Sequence, residues 1–252
     1  MSSSNSYSLN LAKKYPFLKK IYFFYNIYIR NLKFYFNSSQ FGEDKIIFEL
    51  FDKSYKGRYV DLGCFHPTRQ NNTFKMYKTG WRGINIDLNS MTIDLFKFTR
   101  PHDINLHAAI SNKKGSTNLF YIGDLASQNT IERNHTNFLK DHFGLKKNDI
   151  KIKKIKTKKI NDIFEKYKFY NIDFMNIDIE GHELKVLNSL NFNKFNISVI
   201  CVEIFKHNKF SGENKKKILK LFKKNGYFLK HKGSINYIFK KIKPRIDSTY
   251  KK

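Results

Sequence analysis

The chain has 252 residues, 40% of them hydrophobic and 16% aromatic, with a formal net charge of +27 from 48 Lys and Arg against 21 Asp and Glu. So apolar and aromatic a composition excludes a disordered chain, and the length suits one core with short appendages. Cys64 and Cys201, far apart in sequence, exclude a disulfide framework or a zinc cluster and suit a reducing cytosol.

The first ten residues are polar and lead to no cleavage site, so export by a signal peptide is not expected and residues 1–8 are expected to fray. Residues 15–36 are the most apolar stretch, but Lys19, Lys20, Arg30 and Lys33 break it, and the charge-free part is too short to span a bilayer. The stretch reads as a basic, aromatic helix packed on its own domain, with an anionic membrane surface as the alternative resting place. A helix is predicted over 43–53 from Ile46, Ile47, Leu50 and Phe51, and a strand over 58–62 ends in a turn at Gly63. A helix over 72–78, a strand over 84–86 ending in Asp87, and a helix over 90–98 follow.

Strands are expected over 106–110 and 117–122, then a polar stretch, 123–148, too rich in Asn, His and charge to be core and read as a cover. Alternating Ile and Lys over 150–157 predict an edge strand with a solvated lysine face. Residues 172–179 carry the strongest parallel-strand signal, followed by a helix over 182–190, a buried strand over 198–204, a Lys-rich helix over 214–224 and a closing hairpin over 226–240. Strands alternating with helices argue for an α/β fold with a mostly parallel sheet covered on both faces, whose ligands sit outside the carboxyl ends of the strands.

Those ends carry Asp61, Gly63, Asp87, Asp178, Glu180 and Glu203, a row of acids in a chain with few. The first turn has a glycine where a ligand can approach backbone, but Phe65 and Pro67 stand where a dinucleotide fingerprint has further glycines. Asp87, 24 residues beyond Gly63, stands where a carboxylate accepts from ribose hydroxyls; the alternative is a helix cap, a task open to Ser90. An acid-lined, glycine-poor site suits cationic, phosphate-free S-adenosylmethionine better than NAD.

Gly57 to Gly63, His66-Pro67, Asn71-Asn72-Thr73, Gly80-Trp81-Arg82-Gly83-Ile84-Asn85-Ile86-Asp87, Ala108 to Ser111 and Met175 to Glu183, in this order and spacing, resemble the FkbM-type S-adenosylmethionine-dependent methyltransferases. An earlier segment, Ser39-Gln40-Phe41-Gly42-Glu43-Asp44, belongs to the same resemblance. It implies a Rossmann-like class I methyltransferase fold, a seven-stranded sheet with an antiparallel last strand, and O-methylation of a sugar, glycan or natural product. The resemblance covers roughly residues 40–204, and the layout expected for the chain is an N-terminal aromatic, basic helical extension over 1–38, a methyltransferase domain over 39–245 and a basic tail over 246–252. Carried over by position, Asp61 and Gly63 line the methionine end of the cofactor, Asp87 holds the ribose and Ala109 faces the adenine. Asp178, Glu180 and His182 match the acidic motif facing the reacting methyl group, with Glu180 or His182 as the base and Asp178 orienting cofactor or acceptor. Gln70, Asn72 and Thr73 are candidate acceptor-binding residues, although Asn72 or Thr73 could instead cap the next helix. Asp178 with Glu203 could supply oxygen ligands to a divalent ion, two carboxylates being too few for a site on their own.

The alternatives are a nucleic-acid methyltransferase and a non-catalytic module that keeps the fold. The charge favours the former less than its size suggests. Lysine outnumbers arginine 41 to 7, and Lys, Asn, Ile, Phe and Tyr make up 136 residues, the mark of an A/T-rich genome. Arginine's planar fork is what base and phosphate recognition use most, so no dedicated nucleic-acid binding is expected. Asp178-Ile179-Glu180-Gly181 also lacks the Pro-Pro-aromatic loop of amino-methylating enzymes. The expected partner is a small-molecule or glycan acceptor, and the expected location is the cytoplasm, with weak attachment to an anionic membrane face as an option.

Overall fold

The computed structural model describes residues 3–36, 39, 41–204 and 209–242. Gln40 and the tail over 246–252 lie outside the described residues. In chain order the helices are α1 (Ser3–Lys14), α2 (Pro16–Phe24), α3 (Leu32–Phe36), α4 (Glu43–Phe48), α5 (Phe74–Lys78), α6 (Ser90–Thr99), α7 (Arg133–Phe143), α8 (Ile160–Lys166), α9 (Glu183–Ser189) and α10 (Lys209–Lys224). The strands are β1 (Arg58–Leu62), β2 (Arg82–Asp87), β3 (Ile104–His107), β4 (Ala109–Ile110), β5 (Gly115–Tyr121), β6 (Lys151–Lys158), β7 (Asn171–Ile177), β8 (Asn196–Glu203), β9 (Tyr227–Lys232) and β10 (Asn236–Lys241).

Seven strands form one sheet in the order β3-β2-β1-β7-β8-β10-β9. The pairs from β3 to β8 are parallel, and β10, the last strand of the chain, runs antiparallel between β8 and β9. This is the Rossmann-like α/β arrangement expected from the sequence. Alternation along the strands divides the core in two. Val60, Ile84, Met175, Ile200 and Val202 point to one face, toward α8, α9 and α10, while Tyr59, Phe174, Val199 and Cys201 point to the other, toward α4 and α5. Apolar residues therefore run unbroken from Val199 to Val202 in β8 and fill consecutive positions Phe174 and Met175 in β7, as strands covered on both faces require. Trp81 is a packing residue, fully buried, with its indole N–H donating to the Tyr55 carbonyl.

The structure changes several sequence expectations. Residues 106–110 are not one strand: the chain leaves the large sheet after His107, and β4 joins a small sheet of order β4-β6-β5. The expected edge strand is thus the middle strand β6, although β4 covers it only at Thr157 and Lys158. Lys151, Lys153, Lys154 and Lys156 remain exposed. The helix expected over 43–53 stops at Phe48.

The stretch over 15–36 is not one helix but α2, a π-helical turn (Tyr25–Arg30) and α3. Phe23 and Ile27 pack on Met91 and Leu95 of α6, so this extension docks on the domain. Its other side leaves Phe17 and Phe36 more than 70% exposed. No helix among the described residues is long and apolar enough to cross a membrane.

Candidate active site

A cavity of about 580 Å³ opens at the carboxyl ends of β1, β2, β7 and β8. Asp61, Gly63, Asp87, Asp178, Glu180 and Glu203, the acids and glycine singled out at the strand ends, all line it. Ala109, Gln70, Asn72 and His182 also line it.

Asp61 forms the floor as part of a closed polar knot. Its Oδ2 accepts from Asn71 Nδ2 (3.1 Å) and Thr73 Oγ1 (2.8 Å), and its Oδ1 from Asn176 Nδ2 (3.0 Å). Behind it lies the fully buried Arg100, whose guanidinium donates to Thr73 Oγ1, to Asn71 Oδ1 and to the Pro67 carbonyl. Burial pushes the Asp61 carboxyl up, and Arg100 and these donors pull it back. Thr73 is therefore corrected as an acceptor-binding residue: it does not line the cavity, it is fully buried, and its hydroxyl is spent on Asp61. Nor does its side chain cap α5, although it occupies the N-cap position. Asn72 reaches the cavity and donates to Asn176 Oδ1 at 3.0 Å.

Gly63 is required by close approach. It has φ +74°, and a Cβ there would stand 1.6 Å from the Asp178 carbonyl oxygen, because β1 and β7 converge at this point. Its amide is not available to a ligand as the sequence suggested, since it donates to the Ile86 carbonyl at 2.9 Å. Asp87 instead collects the backbone donors: Oδ1 accepts from Asn89 N (2.7 Å) and Oδ2 from Phe65 N (3.0 Å). Asn89, not Ser90, caps α6 by accepting from Met91 N. Asp87 thus keeps unused lone pairs toward the cavity. Burial pushes its carboxyl up to about 7 despite the two amides.

After β7 the chain turns sharply, with Glu180 at φ +53° and Gly181 at φ +95°. A non-glycine residue in this conformation is strained and persists where its surroundings over-determine it. Glu183 Oε1 does so by accepting from Ile179 N (3.0 Å) and Gly181 N (3.1 Å), and Thr130 Oγ1 ties the Glu180 carbonyl. Glu183 is a turn lock as much as a helix-dipole partner. The turn aims the Glu180 carboxylate at His135 of α7, with Oε2 and Nε2 2.8 Å apart. Burial raises the Glu180 carboxyl well above the ordinary range and lowers the His135 imidazole. At neutral pH burial thus favours an uncharged pair.

His182 lies between two partners, Nε2 at 3.1 Å from Ser111 Oγ and Nδ1 at 3.3 Å from Glu132 Oε2. Glu132 is also 2.6 Å from Lys185 Nζ. Although burial alone would raise the Glu132 carboxyl, the bonds to His182 and Lys185 bring it down to about 2. Asp178 and Glu203 are both raised, chiefly by burial, and share a hydrogen bond. Asp178 Oδ1 and Glu203 Oε2 are buried acceptors without a hydrogen-bond partner. Among the described residues no group of three or more His, Cys, Asp or Glu is arranged to hold a metal ion.

Sequence reasoning missed His135, Glu132 and Ser111 as neighbours of the acidic motif. The polar stretch over 123–148 was legible as a cover, and its wealth of His and charge was the available signal. Arg100 was missed too, and a rare arginine in a lysine-rich chain was the clue.

Residues 56–229 match the Methyltransferase FkbM domain family. No curated protein matches the chain. Solved structures similar to it include the methyltransferase FkbM from Methylobacillus flagellatus, at 13% identity over 73% of this chain and 43% of that one, with a TM-score of 0.41. A TehB-like SAM-dependent methyltransferase from Corynebacterium glutamicum matches at 14% identity over 94% of this chain and 100% of that one, TM-score 0.41. A candidate rRNA-methylase from Clostridium thermocellum matches at 11% identity over 82% and 97%, TM-score 0.43.

Proposed function

The chain belongs to the FkbM methyltransferase family, and from that premise we propose that it moves a methyl group from S-adenosylmethionine to a hydroxyl of a sugar, glycan or natural product. The observation that carries this reading is the union, in one cavity, of Asp87 with a buried, raised carboxyl at Glu180. The donor set suits the cofactor. Asp178 Oδ1 and Glu203 Oε2 are orphaned acceptors that a cationic group would satisfy, Asp87 keeps lone pairs for ribose hydroxyls, and Ala109 offers a small apolar wall to a base. When bound, S-adenosylmethionine supplies an electrophilic methyl group on a sulfonium.

The residues of the chain then have two tasks, alignment and proton removal. Gln70 and Asn72 line the cavity, and their amides would hold the acceptor hydroxyl. Glu180 accepts the hydroxyl proton in the fraction that has lost its own, and its carboxyl, raised to about 8, is a stronger base than an ordinary carboxylate once ionised. His135, 2.8 Å away, is the nearest imidazole to that carboxyl. Glu180 is favoured over His182 because both ring nitrogens of His182 are engaged by Ser111 and Glu132, which makes His182 a positioning residue. No step is assigned to a metal.

The test is transfer of a radiolabelled methyl group to a panel of sugars, glycans and lipid-linked sugars, with RNA as the counter-panel. Labelling of a hydroxyl acceptor that Glu180→Gln abolishes supports the reading. Labelling confined to RNA overturns it.

A further inference from the structure

A second cavity, of about 330 Å³, lies between the N-terminal helices and the loop after β1. Lys13, Arg30, Arg69 and Lys151 wall it, against one acid, Asp124, which Lys13 already holds. Among the described residues neither guanidinium has a carboxylate within ion-pair distance. Arg69 Nε is buried with no hydrogen-bond partner. Burial and the nearby Arg30 both pull the Arg69 guanidinium below its ordinary value. A chain with seven arginines places two of them in the wall of this one cavity, neither ion-paired among the described residues.

The cavity is rigidly framed. His66 Nδ1 accepts from the backbone amides of Thr68 (3.2 Å) and Arg69 (3.0 Å), so its proton sits on Nε2 and is donated to Asn26 Oδ1 at 2.9 Å. His66 remains neutral because burial lowers its pKa to about 3. Asn31 Nδ2 also donates to Asn26, which fixes the π-helical turn that carries Arg30. The Arg69 guanidinium lies 4.8 Å from the centre of the Phe65 ring.

The two cavities adjoin across one loop. Phe65 and Gln70 line the first, while His66 and Arg69 line the second. Likewise Ala126, Ser127 and Gln128 face the first, and Gly123 and Leu125 the second. Paired guanidiniums are suited to the fork geometry of a phosphate. We propose that the second cavity is a phosphate-binding site, which holds the phosphate or diphosphate of the methyl acceptor while the sugar it bears reaches the first cavity. The anion site stands by itself, and its link to the acceptor rests on the methyl-transfer reading above.

The test is titration of the intact protein with inorganic pyrophosphate at fixed ionic strength, alongside the double variant Arg30→Gln/Arg69→Gln. The control is Lys216→Gln/Lys217→Gln, which removes the same charge from the exposed face of α10. The arginine variant should bind about tenfold more weakly or worse, as loss of charge-assisted hydrogen bonds predicts. It should keep its melting temperature and its affinity for S-adenosylmethionine, and the lysine variant should bind pyrophosphate like the parent. Equal losses in both variants, or no binding by the parent, overturn the site. Competition by a soluble sugar diphosphate assigns the phosphate to a soluble acceptor, whereas competition only by phosphatidylglycerol vesicles assigns it to a lipid; both support the site. Failure of the parent to bind S-adenosylmethionine while it still binds pyrophosphate would remove the methyl-transfer reading and leave the anion site.

Discussion

His135 Nε2 stands 2.8 Å from Glu180 Oε2, so a buried residue of the cover segment packs against the turn that carries the acidic motif after β7. Burial raises the Glu180 carboxyl, which sets when it can act as a base. Activity should rise with pH along a limb well above the usual carboxylate range. Glu180→Gln should remove that limb and lower kcat by roughly 10²–10⁴-fold, the range for loss of a positioned base, with little change in cofactor affinity. A limb near pH 4.5, or a kcat unchanged in the variant, would remove Glu180 from that role.

Gly63 tests the geometry of the site independently of its chemistry. Gly63→Ala combines positive φ with a Cβ 1.6 Å from the Asp178 carbonyl, whereas Gly144→Ala at φ +64° meets nothing within 4 Å. The first should cost about 3 kcal/mol or more and the second about 1–2 kcal/mol, measured by urea unfolding. Equal costs would mean that β1 and β7 do not converge as described.

Much of this was legible beforehand. The parallel strands could be read because residues buried on both faces leave apolar-rich runs, unbroken over 199–202 and interrupted by Asp173 and Asn176 over 172–177. The acids could be read because they fall where those runs stop. What escaped was long-range pairing. Nothing local links His135 to Glu180, 45 positions apart, or Arg100 to the Asn71, Thr73 and Asp61 knot. The split was hidden because no glycine, proline or turn residue interrupts 106–110, although Ala108 N makes the last bond to β2, at the Asp87 carbonyl, before Ala109 joins the small sheet.

Arg100 serves the site through the fold. Arg100→Ala would take one of its donors from Asn71 Oδ1, the guanidinium donor from the Pro67 carbonyl, and the nearby positive charge from the buried Asp61. The expected loss is about 3–5 kcal/mol by denaturant titration, as for removal of one partner from a buried charged network. A loss under about 1 kcal/mol, within the range of a surface change, would contradict the knot.

The buried carboxyls also predict how stability depends on pH. Asp87 and Glu183 are pushed up to about 7 by burial, so the native state holds protons that the unfolded chain has released, and their contribution is lost as pH rises through 7. His66, brought down to about 3, acts with the opposite sign, but only below its ordinary value near 6.5. The melting temperature of the cofactor-free protein should therefore fall between about pH 4.5 and 7.5, with His66 offsetting part of the fall below 6.5, and level off above, and Glu183→Gln should flatten that slope. A melting temperature that climbs over this interval would show that these carboxyls are not raised.

The central claim is that this cavity holds S-adenosylmethionine through Asp87, and calorimetric titration of the parent and of Asp87→Asn tests it most directly. Binding in the micromolar range by the parent, weakened about tenfold or more in a variant that melts like the parent, is the predicted result. Absence of binding by the folded parent, or equal binding by both proteins, would contradict it.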